Sequence, residues 1–422
     1  MRRRTQAYWG FGITLALCAG TAQAQSDNTG LLGDIGGLRP ALAAHGITLG
    51  VTDSETLLGN TTGGMKQGAT LQGLTTATLD ADLSKLIGLP GGSFHISALQ
   101  IHGRSLSEYY LDDLQQANGN EADNATRLWE MWYDQALGNS GVDVKIGQQS
   151  LDSEFMVSVN SNLFVNTMAG WPLLPSVDMY SGGPAYPLSS LGVRLQYAAP
   201  HHLTLLTGVF DDNPSGGSFD DDTQEMDGNG ARFSLNTGAL FITELQYAPP
   251  ASNGTYKLGF WYDTGRFPDQ YDGDAYMHRG NYSVYAVVDQ TLWQFSPTRS
   301  LNGFARLMGA PAAQNLISFS FNGGLTLSDP LPGRPNDTAG IDFGVGKVSG
   351  RAADSDRASG APARNTETLI ELTYQAQITP WLQLQPDLQY IANPGGGIMD
   401  PVNPTHRLGN EFVAGLRANT TF

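Results

Sequence analysis

Charged and polar residues recur at every second position through several stretches of this chain. In the run from Leu128 to Leu137, Leu128, Glu130, Trp132 and Asp134 form one set, and Trp129, Met131, Tyr133 and Gln135 form the other. The next run sets Asp143 and Lys145 against Val142, Val144 and Ile146, and GVRLQYA places Arg194 and Gln196 on one face. By the same parity Arg232, Glu244, Gln246, Lys257, Trp261, Arg306, Glu371, Asp387 and Arg417 belong to polar faces. Carboxylates accept hydrogen bonds, guanidinium and ammonium groups donate them, and indole rings offer flat apolar surface. Both signs occur together, which suits weak hydrogen bonding to a neutral polar solute. Each of these residues could equally be half of a salt bridge that only stiffens a wall.

Catalytic chemistry finds little support. The seven histidines, His45, His95, His102, His201, His202, His278 and His406, form no HExxH, and no GxSxG occurs. His201 and His202 follow Pro200, as an exposed turn pair would. Gly344, Gly346 and Lys347 lack the spacing of a phosphate loop. Glu130 and Asp134 could act as a glycosidase pair only with positioning that the sequence does not supply. The acidic stretch from Asp211 to Gly230 carries hard oxygen ligands but not the spacing of an EF-hand, and reads as a solvated loop. No metal and no cofactor is expected.

The polar positions lie on alternating segments, which are strands with two unlike faces. Such runs begin at Ile47 and return at 70–83, 93–103, 128–137, 142–147, 192–198, 203–210, 231–236, 240–248, 256–265, 282–293, 301–310, 316–324, 340–348, 368–378, 381–391 and 412–422, and the reading is of about 16 strands. Alternation fails from Gln148 to Ser190. That segment is rich in Phe, Trp, Tyr and Asn, unlike disordered chain. It is expected to fold into the interior, with Glu154, Asn160, Asn162, Asn166, Trp171, Asp178, Tyr180 and Tyr186 available to a solute and Pro172, Pro175, Pro184 and Pro187 stiffening it. A packed external loop or a subunit contact is the alternative.

At the N-terminus, Arg2, Arg3 and Arg4 precede an apolar run from Tyr8 to Gly20, and Ala22-Gln23-Ala24 offers a cleavage site. Residues 1–24 are therefore expected to be a signal peptide, 25–46 a short helical plug or cap on the periplasmic side, and 47–422 one β domain. Leu17 stands where a lipoprotein would need a small residue, and Cys18 lies in the signal, so the exported chain has no cysteine. Losing three arginines leaves 20 basic against 40 acidic residues, which excludes nucleic acid as a partner.

After the signal there is no run of 18 apolar residues, so no helix crosses a membrane, but a β-barrel needs only alternate apolar residues. Ile370, Leu372, Tyr374, Ala376 and Ile378 oppose Glu371, Thr373, Gln375 and Gln377, and Leu382, Leu384, Pro386, Leu388 and Tyr390 oppose Gln383, Gln385, Asp387 and Gln389. A lipid-facing exterior and a polar lumen explain that division. The last run carries Phe412, Ala414, Leu416, Ala418 and Thr420 on one face and ends on Phe422, as a strand offered to the barrel-assembly machinery does. The fold expected is all-β, an antiparallel transmembrane barrel with an inward-folded loop, lodged in outer-membrane lipid.

The stretches 128–135, 144–158, 170–176, 181–194, 257–265, 289–293, 329–349 and 378–396, taken in order, resemble the carbohydrate-selective porins of the OprB family over nearly the whole exported chain. The resemblance implies a 16-stranded outer-membrane barrel that passes monosaccharides, glucose among them, by facilitated diffusion, and no enzyme. A general porin, an exported sugar-binding protein and a sugar hydrolase stay open as alternatives. Small neutral sugars are the expected solutes, and Glu130, Trp132, Asp134, Asp143, Lys145, Glu154, Trp171, Tyr186, Arg194, Arg232, Glu244, Arg306 and Glu371 the candidate lining. A homotrimer fits the resemblance, although no residues mark a subunit face.

Overall fold

The computed structural model describes residues 30–219, 221–250, 252–401 and 403–422; the signal-peptide reading lies outside the described residues. Sixteen strands alternate in direction. They are β1 (Ile47–Thr62), β2 (Gly68–Asp82), β3 (Gly92–Gly103), β4 (Ala125–Ala136), β5 (Val142–Gln149), β6 (Ser190–Ala199), β7 (Leu203–Asp211) and β8 (Ala239–Tyr247). The second half holds β9 (Gly254–Asp269), β10 (Gly273–Gln294), β11 (Ser300–Gly309), β12 (Ile317–Ser328), β13 (Thr338–Val348), β14 (Thr366–Thr379), β15 (Leu382–Ala392) and β16 (Glu411–Thr421). Each strand pairs with the next, and β1 pairs with β16 to close the barrel. Closure gives every strand two neighbours, so no backbone edge is left to be satisfied by a solvent that lipid cannot replace.

The run 231–236 is not a strand. It lies in the loop between β7 and β8, and Arg232 is exposed there, donating to the Met226 carbonyl at 3.2 Å. A short alternating run is ambiguous because a loop with Phe233 and Leu235 can alternate without pairing.

One rim carries both described chain ends and short turns, and the opposite rim carries the long loops. Leu31 N–H donates to the Thr421 carbonyl at 2.9 Å and Phe422 N–H to the Val51 carbonyl at 3.0 Å. The helix Leu38–Ala44 follows, and the Arg39 guanidinium reaches the carbonyls of Gly33 (2.8 Å) and Phe422. Residues 30–46 therefore lie against the rim where β1 meets β16. His201 and His202 sit exposed in the turn between β6 and β7, both with positive φ, as the sequence reading expects of a tight turn.

Register shifts interrupt the pairing of several strands, and the one between β3 and β4 falls among the candidate residues. Ile96 pairs with Met131 and Ala98 with Leu128, so Trp129 and Glu130 both fall opposite Ser97 as a β-bulge. Glu130, Trp132 and Asp134 remain on one face. Trp129 moves to the lumen side, buried against Leu99 and Ile101, and Leu128 turns away from the set assigned to it by strict alternation.

The interior is not uniformly polar. Leu151, Phe155, Met156, Trp171, Leu173 and Leu174 of the β5–β6 loop pack on Phe210, Leu240, Ile242, Trp261, Tyr285, Val287 and Met308 of the β7–β11 wall. That loop crosses the lumen and makes a dry core inside the barrel. Phe210 reaches it by lying over Gly192 and Gly208, where a Cβ would collide with the ring, and meets Phe155 edge-on at 6.4 Å. Gly192→Val should therefore displace Phe210 and loosen the loop, costing about 1–3 kcal/mol. Urea unfolding in detergent micelles checks this, and an unchanged midpoint would show that the ring has room to move.

Candidate functional site

The loop of residues 150–189 starts on the β5 side of the barrel, and where its backbone is buried its polar groups must be met within the protein. The far wall meets them. Glu244 on β8 accepts from Met156 N–H at 2.8 Å, Glu371 on β14 from Val165 and Asn166 N–H at 2.6 and 3.2 Å, and Asp289 on β10 from the Ser158 hydroxyl at 2.7 Å and Asn160 N–H at 3.1 Å. Arg306 on β11 works with the opposite polarity, donating to the carbonyls of Met156 (3.2 Å), Ala169 (2.9 Å), Gly170 (2.8 Å) and Met168. Glu244, Arg306 and Glu371 are 0–1 % exposed. They hold the loop, and their side chains are buried beneath it.

A second loop, 104–124, is seated the same way. Glu367 on β14 accepts from Leu114 and Gln115 N–H, both at 2.8 Å, and Arg417 on β16 donates to Asn118 Oδ1 at 2.7 Å. Asp289 and Glu367 were absent from the candidate set. A carboxylate on an otherwise regular strand gives no sequence signal that distinguishes a loop anchor from a lining group.

The groups that do meet at the lumen come from neighbouring strands. In register, Asp134 faces Lys145 and Lys145 faces Arg194, while Asp143 faces Gln196, so alternate residues of β4, β5 and β6 form two cross-strand rows. Arg194 donates to both oxygens of Glu154 at 2.8 and 3.0 Å, to Asp134 at 3.3 Å and to Asp143, and Lys145 shares Glu154 Oε1 with it. Gln196 donates to Asp143 Oδ2 at 3.0 Å. Lys145 Nζ also sits 4.2 Å from the centre of the Trp132 ring, and His95 stacks on that ring at 4.9 Å. His95 in turn contacts Asp80 Oδ1 through Nδ1 at 2.6 Å. Glu130 lies behind, accepting from Ser150 N–H at 3.0 Å.

Exposure orders this network from wall to lumen. The Arg194 and Lys145 side chains are 3 % and 2 % exposed, Glu154 11 %, Asp134 19 %, Asp143 21 % and Asp80 53 %. The cations lie behind and the carboxylates face the open space. Glu154 is the one acid supplied by the loop. Its burial favours the neutral form, but the adjacent Lys145 and Arg194 outweigh that and hold its carboxyl below the ordinary range.

Two loop aromatics expected near the lumen are committed elsewhere. Trp171 is 7 % exposed and donates to the Gly182 carbonyl at 2.7 Å, and Tyr186 packs edge-on with Trp129 and donates to the Asn120 carbonyl at 3.0 Å. Their polar atoms bond loop backbone, which is what a buried ring with one polar tip requires. His95 and Asp80 joined the network without having been singled out, because a lone His in a strand has no spacing to betray it.

Residues 66–422 match the model of the carbohydrate-selective porin, OprB family. Porin B of Pseudomonas aeruginosa is 27 % identical over 97 % of this chain and 95 % of its own. The fold superposes on the high-pH structure of OprB from Pseudomonas putida with a TM-score of 0.83, at 23 % identity over 94 % of this chain and 99 % of that one. The outer-membrane channel DcaP of Acinetobacter baumannii shares the barrel at a TM-score of 0.53 and 10 % identity, covering 89 % of this chain and 97 % of that one.

Replacing Arg306 with Met should free four loop carbonyls, lower stability by about 3 kcal/mol or more, and raise single-channel conductance as the loop leaves its seat. Conductance in planar bilayers checks this, and an unaltered value would mean the remaining anchors suffice. A second expectation concerns acid. Glu154 has a lowered folded-state carboxyl, so its contribution is complete above the ordinary value of 4.5 and is lost as the pH falls through the lowered one. The stability gap between the native chain and Glu154→Gln should thus be constant from pH 8 to about 5 and close only below about 4.5, in unfolding measured across that range.

Proposed function

The chain belongs to the carbohydrate-selective porin family, OprB, and on that footing we propose that it is a bacterial outer-membrane channel for monosaccharides such as glucose, entered from the long-loop rim and left at the periplasmic rim that carries the termini. The observation that carries the proposal is the order of charges across the lumen wall. Partly exposed carboxylates of Asp80, Asp134 and Asp143 face the passage, with Arg194 and Lys145 locked behind them. A sugar sheds water from its hydroxyls on entering a narrow passage, and these fixed oxygens can accept the hydroxyl protons. An anionic solute of equal size is disfavoured by the same oxygens.

Binding must stay weak for the sugar to leave, and the geometry supports that. Asp134 and Asp143 already accept from Arg194 and Gln196, and Asp80 contacts His95, so a hydroxyl competes for a lone pair rather than filling an empty site. Trp132 keeps its ring for His95 and Lys145, which removes it as a platform for the sugar. Selectivity on this reading comes from hydrogen bonding and charge, with little from ring stacking.

Flux into liposomes tests the proposal. Glucose should enter several-fold faster than gluconate and should saturate at high concentration. Asp134→Asn with Asp143→Asn should narrow that ratio toward the value set by size alone, and Arg194→Gln should shift the reversal potential toward cation selectivity. Equal entry of all solutes below a size limit would leave a general diffusion porin instead.

A further inference from the structure

We infer that Arg266 and Arg279, on the outer face of the β9–β10 hairpin, form a binding site for the phosphate of a lipid headgroup in the outer leaflet. Exposed and buried residues alternate without a break along β9 from Leu258 to Phe267, and the exposed set is Leu258, Phe260, Tyr262, Thr264 and Arg266. The buried set faces the lumen: Trp261 belongs to the core under the loop, and Phe267 packs on Tyr180 with 5.1 Å between ring centres. From that side the Tyr180 hydroxyl meets the Arg266 backbone, donating to its carbonyl at 2.5 Å and accepting from its N–H at 3.1 Å. The Arg266 side chain therefore leaves the barrel on its outer face.

Arg279 stands directly across from Arg266 in the ladder, and both are exposed. Directly opposed residues of an antiparallel pair bring their Cβ atoms to about 5 Å, and like charges there repel. The hairpin offers no relief. Among the described residues neither guanidinium has a carboxylate within ion-pair distance, and the nearby Asp269 and Asp272 are committed to Arg351 at 2.8 and 2.7 Å. The chain as a whole has a formal net charge of −17, so an in-register pair of arginines without acids is not the by-product of a basic surface. An anion between the two would turn the repulsion into a clamp.

The height of the pair fixes the class of anion. On β10 the exposed apolar band runs from Leu292 and Trp293, near the terminus-bearing rim, to Val284 and Tyr282, toward the long-loop rim. About ten residues of strand, tilted by about 40°, climb roughly 25 Å, which is the height of the lipid-facing band of such barrels. Phe260, Tyr262 and Tyr282 form its upper aromatic edge, with Phe260 and Tyr282 6.3 Å apart. Arg279 lies roughly 10 Å of strand beyond Tyr282, above the hydrocarbon and outside the pore, at the level of headgroup phosphates. A phosphate held between two guanidinium groups takes paired N–H donors from each, and the acyl chains attached to it can run down Tyr262, Phe260 and Val284. A free phosphate gains only the first of these contacts. The inference rests on embedding in the outer membrane and not on the choice of sugar.

Native mass spectrometry of the full chain, purified from outer membranes in a non-ionic detergent, tests this with diphosphoryl lipid A as the probe. Lipid A should remain bound, and Arg266→Gln with Arg279→Gln should lower the bound fraction roughly ten-fold, with an intermediate loss for either change alone. Arg357→Gln removes an exposed arginine already paired with Asp354 and should leave binding unchanged. Lipid A stripped of its phosphates should bind the native chain as weakly as intact lipid A binds the double variant. Absence of bound lipid, or equal binding by the double variant, would overturn the site. Displacement of lipid A by an equimolar amount of inorganic phosphate would assign the pair to a free anion and overturn the lipid. Heat-dependent migration confirms that each variant is folded, and glucose flux is read on the same preparations. A double variant that keeps both glucose flux and lipid A would refute the site and leave the sugar reading intact.

Discussion

A backbone buried away from water must find its hydrogen bonds inside the protein, and the interior of this barrel is organised by that requirement. The strands meet it by closing into a ring. The loop of residues 150–189 cannot meet it alone, because it has no long regular element and runs across a lumen. Glu244, Asp289 and Glu371 accept its N–H groups and Arg306 donates to its carbonyls, so four strands of the far wall act as surrogate partners. The apolar cluster beneath the loop then excludes water from those bonds, which strengthens them.

The result is a barrel with two unlike halves. On the β7–β11 side the lumen is dry and full. On the β4–β6 side a layered set of charges remains, cations against the wall and carboxylates toward the open space. The layering has a plain cause: Arg194 and Lys145 have long stems that are covered by the strand wall and by Glu154, whereas the short Asp134 and Asp143 end where the wall ends. Glu154 is the hinge between the halves, since it comes from the loop and bonds the wall.

Much of the architecture is readable in the sequence because period-two alternation survives in nearly every strand, and Glu371 and Gln385 fall on the inner face as parity requires. The irregular 148–190 segment also declares itself by the loss of that period. Two kinds of information are missing. A bulge such as the one at Trp129 and Glu130 depends on the partner strand, so no local pattern announces it. The division of lumen residues into loop anchors and solute-facing groups depends on where a distant loop lands. Arg306 and Arg194 look alike in sequence and differ only in what lies above them. Trp171 and Tyr186 have the composition of a sugar site and are instead spent on loop packing.

The anchors also impose an order on assembly. Met156 is separated from Glu244 by 88 residues and Val165 from Glu371 by 206, so the loop is made long before most of its seat exists. Closing such distances carries an entropic penalty that is repaid only when the late strands arrive. Until β14 joins the sheet, the loop has its β8 and β11 contacts but lacks its carboxylate on the far side. The constriction of the channel is therefore a late product of barrel closure, and a chain stalled before its last strands would hold an unfinished pore.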